Sequence, residues 1–284
     1  MHEPKSQFFK IPCWSVSLML PLMLEPLPVL FLLAVSMWLV SLYKDDVSIA
    51  DYSWSIMLLI AVLVYVARIG VGSTVNLALI LMVAIWALRL SIFLIRRGRN
   101  RPEDRRYNAI RKKHSPNFAL KSFYLIFMFQ TFLIWIISVS FVPGFLVDTR
   151  LQWTFLHSVG AAIWLLGMII ETIADNQLHR FNQLVIKDQQ TLDTGLWRYS
   201  RHPNYFGEFC IWWGWCLFAI PAALATASPI LLIAPLVMTM LLLKISGVHL
   251  MERGIVERRP DYQSYRDCTS SFFPWPPLEK VSDK

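Results

Sequence analysis

The densest group of polar side chains occupies residues 193–208, at the start of an apolar stretch. Arg198, Arg201 and His202 stand directly before Pro203, and proline favours the first turn of a helix. The free amide groups at a helix N-terminus attract anions. This combination predicts an anion site, with phosphate as the best-fitting ligand. Binding of lipid phosphate by the arginines is the simpler alternative.

A second set of polar side chains recurs at spacings of three and four residues, which places it on one face of a helix. It contains Glu171, Asp175, His179 and Asn182, and its two carboxylates lie where an apolar stretch ends. Glu208 lies one turn inside the next apolar stretch. Carboxylates at such a depth cost free energy unless they are paired or hydrated, so they mark a candidate site. A solvated helix face is the alternative for the first set.

The elements that carry these polar groups have the composition of membrane helices. Of the 284 residues, 56% are hydrophobic and 16% are charged, whereas soluble domains contain about 25% charged residues. Apolar blocks of about 20 residues match the ~30 Å hydrocarbon core that a helix must cross. The blocks that predict spans are Leu27–Tyr43, Ile49–Arg68, Val75–Ile95, Phe118–Val142, Leu151–Thr172, Tyr205–Ala225 and Pro229–Val248.

The predicted fold is therefore an all-α, polytopic membrane bundle of about seven transmembrane helices. Residues 27–284 are expected to form one domain with a C-terminal tail, since no polar stretch is long enough for a separate domain. Residues 1–26 are predicted to form an N-terminal interfacial segment, because their apolar part is short and contains Pro12 and Pro21.

Lysine and arginine are distributed unevenly between the two sides of the predicted bundle, with 20 on one side and 4 on the other. Because positively charged loops stay in the cytosol, we expect the N-terminus outside and the C-terminus in the cytosol. The membrane would be the endoplasmic reticulum in a eukaryote or the inner (plasma) membrane in a bacterium.

The expected partners follow from the same charge distribution. Anionic membrane lipids account for the net charge of +8, so no nucleic-acid partner is expected. The four cysteines lack the spacing of metal ligands, and no metal site is predicted. We expect the protein to act as a monomer.

Several motifs together resemble those of one known family. Residues 195–208 read Gly-Leu-Trp-Arg-Tyr-Ser-Arg-His-Pro-Asn-Tyr-Phe-Gly-Glu, and the tail contains Arg-Arg-Pro-Asp-Tyr-Gln-Ser-Tyr-Arg at 258–266 and Phe-Phe-Pro-Trp at 272–275. Asp-Tyr-Ser-Trp at 51–54, Trp-Ala-Leu-Arg-Leu at 86–90 and the basic segment 97–107 complete the set. The chain resembles the steroid 5α-reductase-like membrane proteins, and most closely their branch known only as a conserved membrane domain of unknown function.

This resemblance implies a seven-span enzyme, open to the cytosol, that holds NADPH among its helices. The implied reaction is reduction of a carbon–carbon double bond conjugated to a carbonyl group in a hydrophobic, lipid-like substrate. The residues expected to bind NADPH are Arg97, Arg105, Glu171, Asp175, Asn182, Arg198, Arg201, His202 and Asn204, of which the resemblance itself implies Asp175 after Glu171 and Asn204. The residues expected to act in catalysis are Asp51, Tyr52, Tyr205 and Glu208, of which Glu208 matches the family's motif.

Two positions depart from the family's pattern. Trp86 stands where the steroid reductases have the tyrosine that polarises the substrate ketone, so the usual phenol is absent. Asp51 is expected to replace the family's acid in the second span, with Tyr52 or Tyr205 supplying a phenol. Glu171 stands where the family has asparagine, which changes the charge beside the cofactor.

Two other classes of function remain open. The sequence Arg-His-Pro-x-Tyr-x-Gly also resembles the isoprenylcysteine carboxyl methyltransferases, in which the same motif would surround S-adenosylmethionine. The third hypothesis is a non-catalytic lipid-binding membrane protein. That hypothesis predicts that Arg89 or Lys244 pairs with the buried carboxylates and that neither nucleotide binds.

Overall fold

A computed structural model describes residues 16–99, 102–146, 152–183, 190–226, 228–245, 259 and 261–278. These residues form ten helices and a short 3₁₀ helix over Gly195–Arg198, and no strand. The helices are α1 (Val16–Leu24), α2 (Leu27–Lys44), α3 (Ile49–Ile69), α4 (Thr74–Gly98), α5 (Arg105–Lys113), α6 (Phe118–Phe145), α7 (Phe155–Phe181), α8 (Pro203–Thr226), α9 (Pro229–Lys244) and α10 (Tyr262–Cys268). The all-α prediction is confirmed.

Six apolar helices are long enough to cross a bilayer: α3, α4, α6, α7, α8, and α2 together with the end of α1, over Met19–Lys44. The structure therefore confirms a multi-pass membrane protein. The seventh predicted span corresponds to α9, which is apolar but shorter than the others in the described residues. Its predicted end, residues 246–248, lies outside the described residues. Helix α7 continues well past the predicted apolar block, as the spacing of its polar residues indicated.

The helices alternate in direction between two ends of the bundle. At the end that we call the basic end, α2, α4 and α7 finish and α3, α6 and α8 begin. Contacts across this end join Arg111 to Asp45 at 2.8 Å, and the Trp38 indole to the Ala119 carbonyl at 2.9 Å. The side of the membrane that the basic end faces remains the prediction from charge counting.

The opposite end is closed by contacts between α1, α3 and α6. The Tyr65 hydroxyl donates a hydrogen bond to the Met23 carbonyl at 3.3 Å, and the Trp135 indole donates to the same carbonyl at 2.7 Å. Pro21 lies inside α1, and the chain turns instead at residues 25–26, just before α2. Residues 1–15 of the predicted interfacial segment lie outside the described residues.

Helices α7 and α8 form the most closely packed pair in the bundle, and glycine makes that approach possible. A Cβ added to Gly167 would lie 2.6 Å from the Gly207 carbonyl, and one added to Gly207 would lie 2.7 Å from the Glu171 amide. Any larger residue at either position would push the helices apart. The backbone of Glu171 is therefore held directly against α8 at Gly207, the residue before Glu208.

An aromatic core lies beside this helix pair. Trp86 of α4 meets Trp212 and Trp215 of α8 edge to face, with ring centroids 5.5 and 5.2 Å apart. Phe141 of α6 packs on Trp215 at 5.4 Å. Edge-to-face contacts between aromatic rings are favourable and fix the ring orientations. The indole N–H groups of Trp86 and Trp212 are thereby aimed at a single point, which is occupied by Glu208.

Candidate functional site

A cluster of charged side chains lies between α4, α7 and α8. Arg89 of α4 donates two hydrogen bonds to Asp175 Oδ2, from Nη1 at 2.9 Å and from Nη2 at 3.3 Å, and it also forms an ion pair with Glu171. Asn204 Nδ2 donates to Asp175 Oδ1 at 3.3 Å. We call Arg89, Glu171, Asp175, Asn204 and Glu208 the Arg89 cluster. It brings together four site residues predicted from two separate segments of the sequence.

Glu208 holds a different set of partners from the other two carboxylates. The Trp86 indole donates to Glu208 Oε2 at 3.0 Å, and the Trp212 indole donates to Oε1 at 2.8 Å. Glu208 makes no ion pair within the described part of the chain. The Trp86 indole therefore binds a carboxylate of the protein itself.

The Arg89 cluster leaves several buried polar atoms without a partner. Glu171 Oε2, Asn204 Oδ1 and Arg89 Nε are buried, and each lacks a hydrogen bond. More than about 90% of buried polar groups in proteins are hydrogen-bonded, so three exceptions in one cluster require an explanation. The cluster also holds three carboxylates against one guanidinium. Its unpaired acceptors and excess of negative charge are the properties expected of a site that is completed by a ligand.

A second polar cluster joins α3, α5 and α6 at the basic end, and we call it the Asp51 cluster. Asp51 Oδ1 accepts hydrogen bonds from the Tyr107 hydroxyl and from Gln130 Nε2, the latter at 3.2 Å. Arg106 Nη2 donates to Asp51 Oδ2 at 2.8 Å. Gln130 also donates to the Tyr107 hydroxyl at 3.1 Å. Asp104, the fifth member, caps α5 by accepting a bond from the Arg106 amide at 2.9 Å.

The pKa values of the α5 side chains in the Asp51 cluster show how strongly these groups interact with their neighbours. Burial, together with the negative charge of Asp51, raises the pKa of Tyr107. Burial alone would raise the pKa of Asp104, but the hydrogen bonds and charge of Arg106 outweigh it and lower that pKa. The network thus favours a neutral Tyr107 and an ionised Asp104, which holds α5 against the start of α3.

A neighbouring set of ion pairs fixes α5 to the connection between α2 and α3. Arg111 donates to both oxygens of Glu103, at 2.8 and 3.0 Å, and Glu103 Oε1 accepts from the Val47 amide at 3.0 Å. Because a paired guanidinium and carboxylate orient each other, this contact defines the position of the basic loop. The loop is therefore a folded part of the basic end.

Tyr205 lies between the two clusters. Its ring stacks on His202, with centroids 5.4 Å apart and planes 9° apart. The charges of Asp175 in one cluster, and of Asp51 and Arg106 in the other, act on its hydroxyl. Of the residues predicted to be catalytic, Tyr205 therefore has the position from which a phenol could reach a ligand held by the Arg89 cluster.

Arg97 is the cation nearest to this space that has no ion pair in the described residues. It is half-buried, and its guanidinium lies over the Phe93 ring at 5.8 Å. Its charge acts on Asp175, Tyr205 and Tyr52. The Tyr52 hydroxyl itself packs against Gly98, at the end of α4, where no Cβ would fit. Arg97 is thus available for an anion, whereas Tyr52 supports the end of α4.

Arg201 and Arg198 have different surroundings. Arg201 Nη1 donates to the carbonyls of Arg266 and Thr269, at 2.6 and 2.9 Å, and so holds the C-terminal tail. Arg198 is exposed and lines a cavity of about 900 Å³ between residues 190–198 and 261–278. Arg198 can therefore meet a soluble ligand at the basic end, while Arg201 carries out a structural task in addition to any role in binding.

Two further predicted residues lie at the basic end outside both clusters. Arg105 is exposed at the first position of α5. Asn182 follows the last residue of α7, and its amide donates to the Leu178 carbonyl at 3.0 Å. These positions neither support nor contradict a role of Arg105 and Asn182 in binding NADPH, so both assignments remain predictions.

Three contributors to the clusters were missed by reasoning from sequence. Trp212 stands four residues after Glu208, a spacing that places the two on one helix face. Gln130 is an isolated polar residue in the apolar block 118–142, which is itself a signal of function or of interhelical hydrogen bonding. Arg106 belonged to the recognised basic segment, but its partner Asp51 lies 55 residues away, and no local pattern reports that contact.

Known proteins match most of the chain's length. Residues 37–269 match a family described as "protein of unknown function (DUF1295)". The chain is 23% identical over 273 residues to the uncharacterized protein C594.04c of Schizosaccharomyces pombe, and the match covers 86% of this chain and 77% of that protein. No solved structure matches the chain. The family match begins within α2 and ends after α10, so it includes both clusters.

Proposed function

The chain belongs to the DUF1295 family of proteins of unknown function, and we propose that it is a membrane-embedded, NADPH-dependent reductase. The proposed substrate is a hydrophobic, lipid-like enone, whose conjugated carbon–carbon double bond is reduced. The observation that carries the proposal is the set of unpaired buried atoms in the Arg89 cluster. The resemblance of its motifs to those of the steroid 5α-reductase-like proteins supports the choice of cofactor.

The side chains in and near the Arg89 cluster suit the nicotinamide and the phosphates of NADPH. Asn204 Oδ1 and Glu171 Oε2 are unpaired acceptors, which fit the N–H donors of a nicotinamide carboxamide. Arg97, which has no ion pair in the described residues, and the exposed Arg198 suit the phosphates. When bound, NADPH would supply a hydride to the substrate, and the carboxylates of the Arg89 cluster would favour the positively charged, oxidised nicotinamide.

The protein must also stabilise negative charge on the substrate carbonyl oxygen as the hydride reaches the β-carbon. Asp51 accepts hydrogen bonds at both oxygens and has no proton to donate in this arrangement. We therefore assign the donor role to the Tyr205 hydroxyl. Stacking on His202 holds the ring of Tyr205 in place, and pre-oriented donors of this kind are a large source of catalytic rate.

The test is transfer of deuterium from stereospecifically 4-deuterated NADPH to a hydrophobic enone, with the protein in lipid nanodiscs. We expect the label at the β-carbon of the product. Tyr205→Phe is expected to lower kcat by about a hundredfold or more and to leave the Kd for NADPH unchanged, because the hydroxyl acts on the substrate. Absence of transfer to any of a panel of steroid, polyprenyl and fatty enones, or full activity in Tyr205→Phe, would contradict the proposal.

One observation favours a second candidate, methyl transfer from S-adenosylmethionine. That cofactor carries a sulfonium and an ammonium group, and the negative excess of the Arg89 cluster suits cations as well as a nicotinamide ring. The two candidates differ in which cofactor stabilises the purified protein. We expect NADPH to raise the unfolding temperature and S-adenosylmethionine to leave it unchanged.

Another observation favours the non-catalytic hypothesis. Arg89 pairs with Glu171 and Asp175, as expected if the buried carboxylates only tie helices together. Lys244 is exposed and does not take part. We prefer a catalytic role because a purely structural cluster has no need of three unpaired atoms or of Glu208, which lacks a cation.

A further inference from the structure

A groove between α4 and α7 lies on the outer side of the Arg89 cluster. Its volume is about 460 Å³, and its lining consists of Arg89, Ile92, Phe93, Arg96, Thr172, Asp175, Asn176 and His179. Arg89 to Arg96 on one helix, and Thr172 to His179 on the other, each cover eight residues, or about 10 Å of helix. The groove therefore runs along both helices for two turns, with Arg96 and His179 at the basic end.

The helix faces beside this groove are exposed and apolar. On α4, Ile85 and Leu88 are 52% and 50% exposed, and on α7, Leu166 and Ile169 are 51% and 48% exposed. In a protein that crosses the membrane, such surfaces face lipid chains. The groove thus opens toward lipid along its length and toward the head-group region at Arg96. A ligand with a polar head and an apolar tail fits both surroundings.

The polar lining of the groove includes several nitrogen groups that can donate hydrogen bonds. His179 Nε2 lies 3.0 Å from Gln183 Nε2, while His179 Nδ1 is buried and has no hydrogen-bond partner. Arg89 Nε is also an unpaired donor, and exposed Arg96 has no ion pair in the described residues. The one carboxylate of the lining, Asp175, already accepts from Arg89 and Asn204.

We propose that this groove binds the phosphate head group of an anionic phospholipid from the leaflet at the basic end. Arg96 contacts the phosphate at the mouth of the groove, His179 supplies a second donor, and the acyl chains follow the exposed faces of α4 and α7. The groove shares Arg89 and Asp175 with the Arg89 cluster, and its other lining residues are not among those assigned to NADPH. It does not depend on the reductase activity.

The test is native mass spectrometry of the protein released from nanodiscs that contain equal amounts of phosphatidylglycerol and phosphatidylcholine. We expect the wild type to retain phosphatidylglycerol in preference to phosphatidylcholine. Arg96→Glu is expected to reduce that preference by about tenfold, the effect of losing one charge-assisted hydrogen bond. Arg99→Glu is the matched control, because Arg99 is an exposed arginine at the end of the same helix that does not line the groove.

Equal retention of the two lipids by the wild type would overturn the proposal, and so would an equal loss of preference in Arg96→Glu and Arg99→Glu. Two competition arms separate the sources of phosphate. Dodecyl phosphate should displace the retained lipid, whereas inorganic phosphate at the same concentration should not. Displacement by NADPH would show that the groove belongs to the nucleotide site and would also overturn the proposal.

Discussion

The Asp51 cluster and the Arg89 cluster both place carboxylates beside arginine at the basic end, but they differ in how fully their hydrogen bonds are satisfied. Both oxygens of Asp51 accept from donors on α5 and α6. In the Arg89 cluster, Glu171, Asn204 and Arg89 each retain a buried atom without a partner. The first cluster is complete in the protein alone, whereas the second is not.

This difference indicates that one cluster orients helices and the other is suited to contact a ligand, a distinction that the sequence alone did not make. A saturated network orients elements and gives rigidity, while a partly satisfied one costs free energy unless a ligand completes it. The Asp51 cluster, formed largely by the basic loop, holds α5 over the bundle. The Arg89 cluster lies on three spanning helices and is the better candidate for contact with a ligand.

The largest effect is expected from Arg89→Met. This change leaves Glu171 and Asp175 buried without a cation, and breaking a buried ion pair from one side costs about 3–5 kcal/mol. The measurement is thermal unfolding in detergent. Adding Glu171→Gln and Asp175→Asn to the same variant should recover most of the loss, because the two carboxylates that Arg89 paired with are then neutral. Wild-type stability in the single variant would show that the cluster is not held together by Arg89.

A smaller loss is expected from Asp51→Asn. The new amide group must face either Arg106 or Tyr107, and both are donors to Asp51, so one hydrogen bond becomes a donor–donor contact. We expect a loss of about 1–3 kcal/mol in unfolding free energy. Hydrogen exchange should locate the added mobility in α5, while the exchange of α7 and α8 stays unchanged. Added mobility in α7 would mean that the two clusters are coupled.

Acid is expected to loosen the Asp51 cluster through Asp104. Because the pKa of Asp104 is lowered in the folded protein, its contribution is fully present above the unfolded value of about 3.9. That contribution is lost as the pH falls through the lower, folded pKa. After correction for intrinsic rates, the exchange of α5 amides should therefore accelerate below about pH 4. Asp104→Asn retains a helix-capping side chain without the charge and should abolish this dependence.

The smallest effect is expected from Arg105→Ala. Arg105 is exposed on α5 and belongs to neither cluster, so stability should change by no more than about 0.5 kcal/mol. Arg97→Ala is the informative comparison, since Arg97 lies toward both clusters and has no ion pair in the described residues. Titration with NADPH should show a larger loss of affinity for Arg97→Ala than for Arg105→Ala. Equal losses would show that Arg97 is no better placed for the phosphates than Arg105.

Much of the fold was predictable because apolar blocks of spanning length report membrane helices directly. The extension of α7 also followed from the spacing of its polar residues. The seventh span is less fully seen, since α9 is described only over Pro229–Lys244. The alternation of the helices is consistent with the lopsided charge count, although the side of the membrane remains a prediction.

The candidate site was predictable in part, for a physical reason. Glu171 and Asp175 were found because they lie one turn apart on a helix, and Glu208 because it is a carboxylate inside an apolar block. Asn204 came from the resemblance of residues 195–208. The pairing of Arg89 with buried carboxylates was expected only under the non-catalytic hypothesis, because Arg89 lies 86 residues before Asp175 and the contact depends on how α4 packs against α7. The tryptophan donors to Glu208 were missed because aromatic residues in a span are ordinarily read as packing groups.

The most direct test of this account is the affinity of the nanodisc-embedded protein for NADPH, measured by titration calorimetry in the wild type, Asn204→Ala and Asp51→Asn. Asn204→Ala is predicted to weaken binding by about tenfold or more, because it removes an acceptor of the incomplete cluster. Asp51→Asn should stay within about threefold of the wild type, as expected for a separate site. An equal loss in both variants, or no NADPH binding by the wild type, would contradict the account.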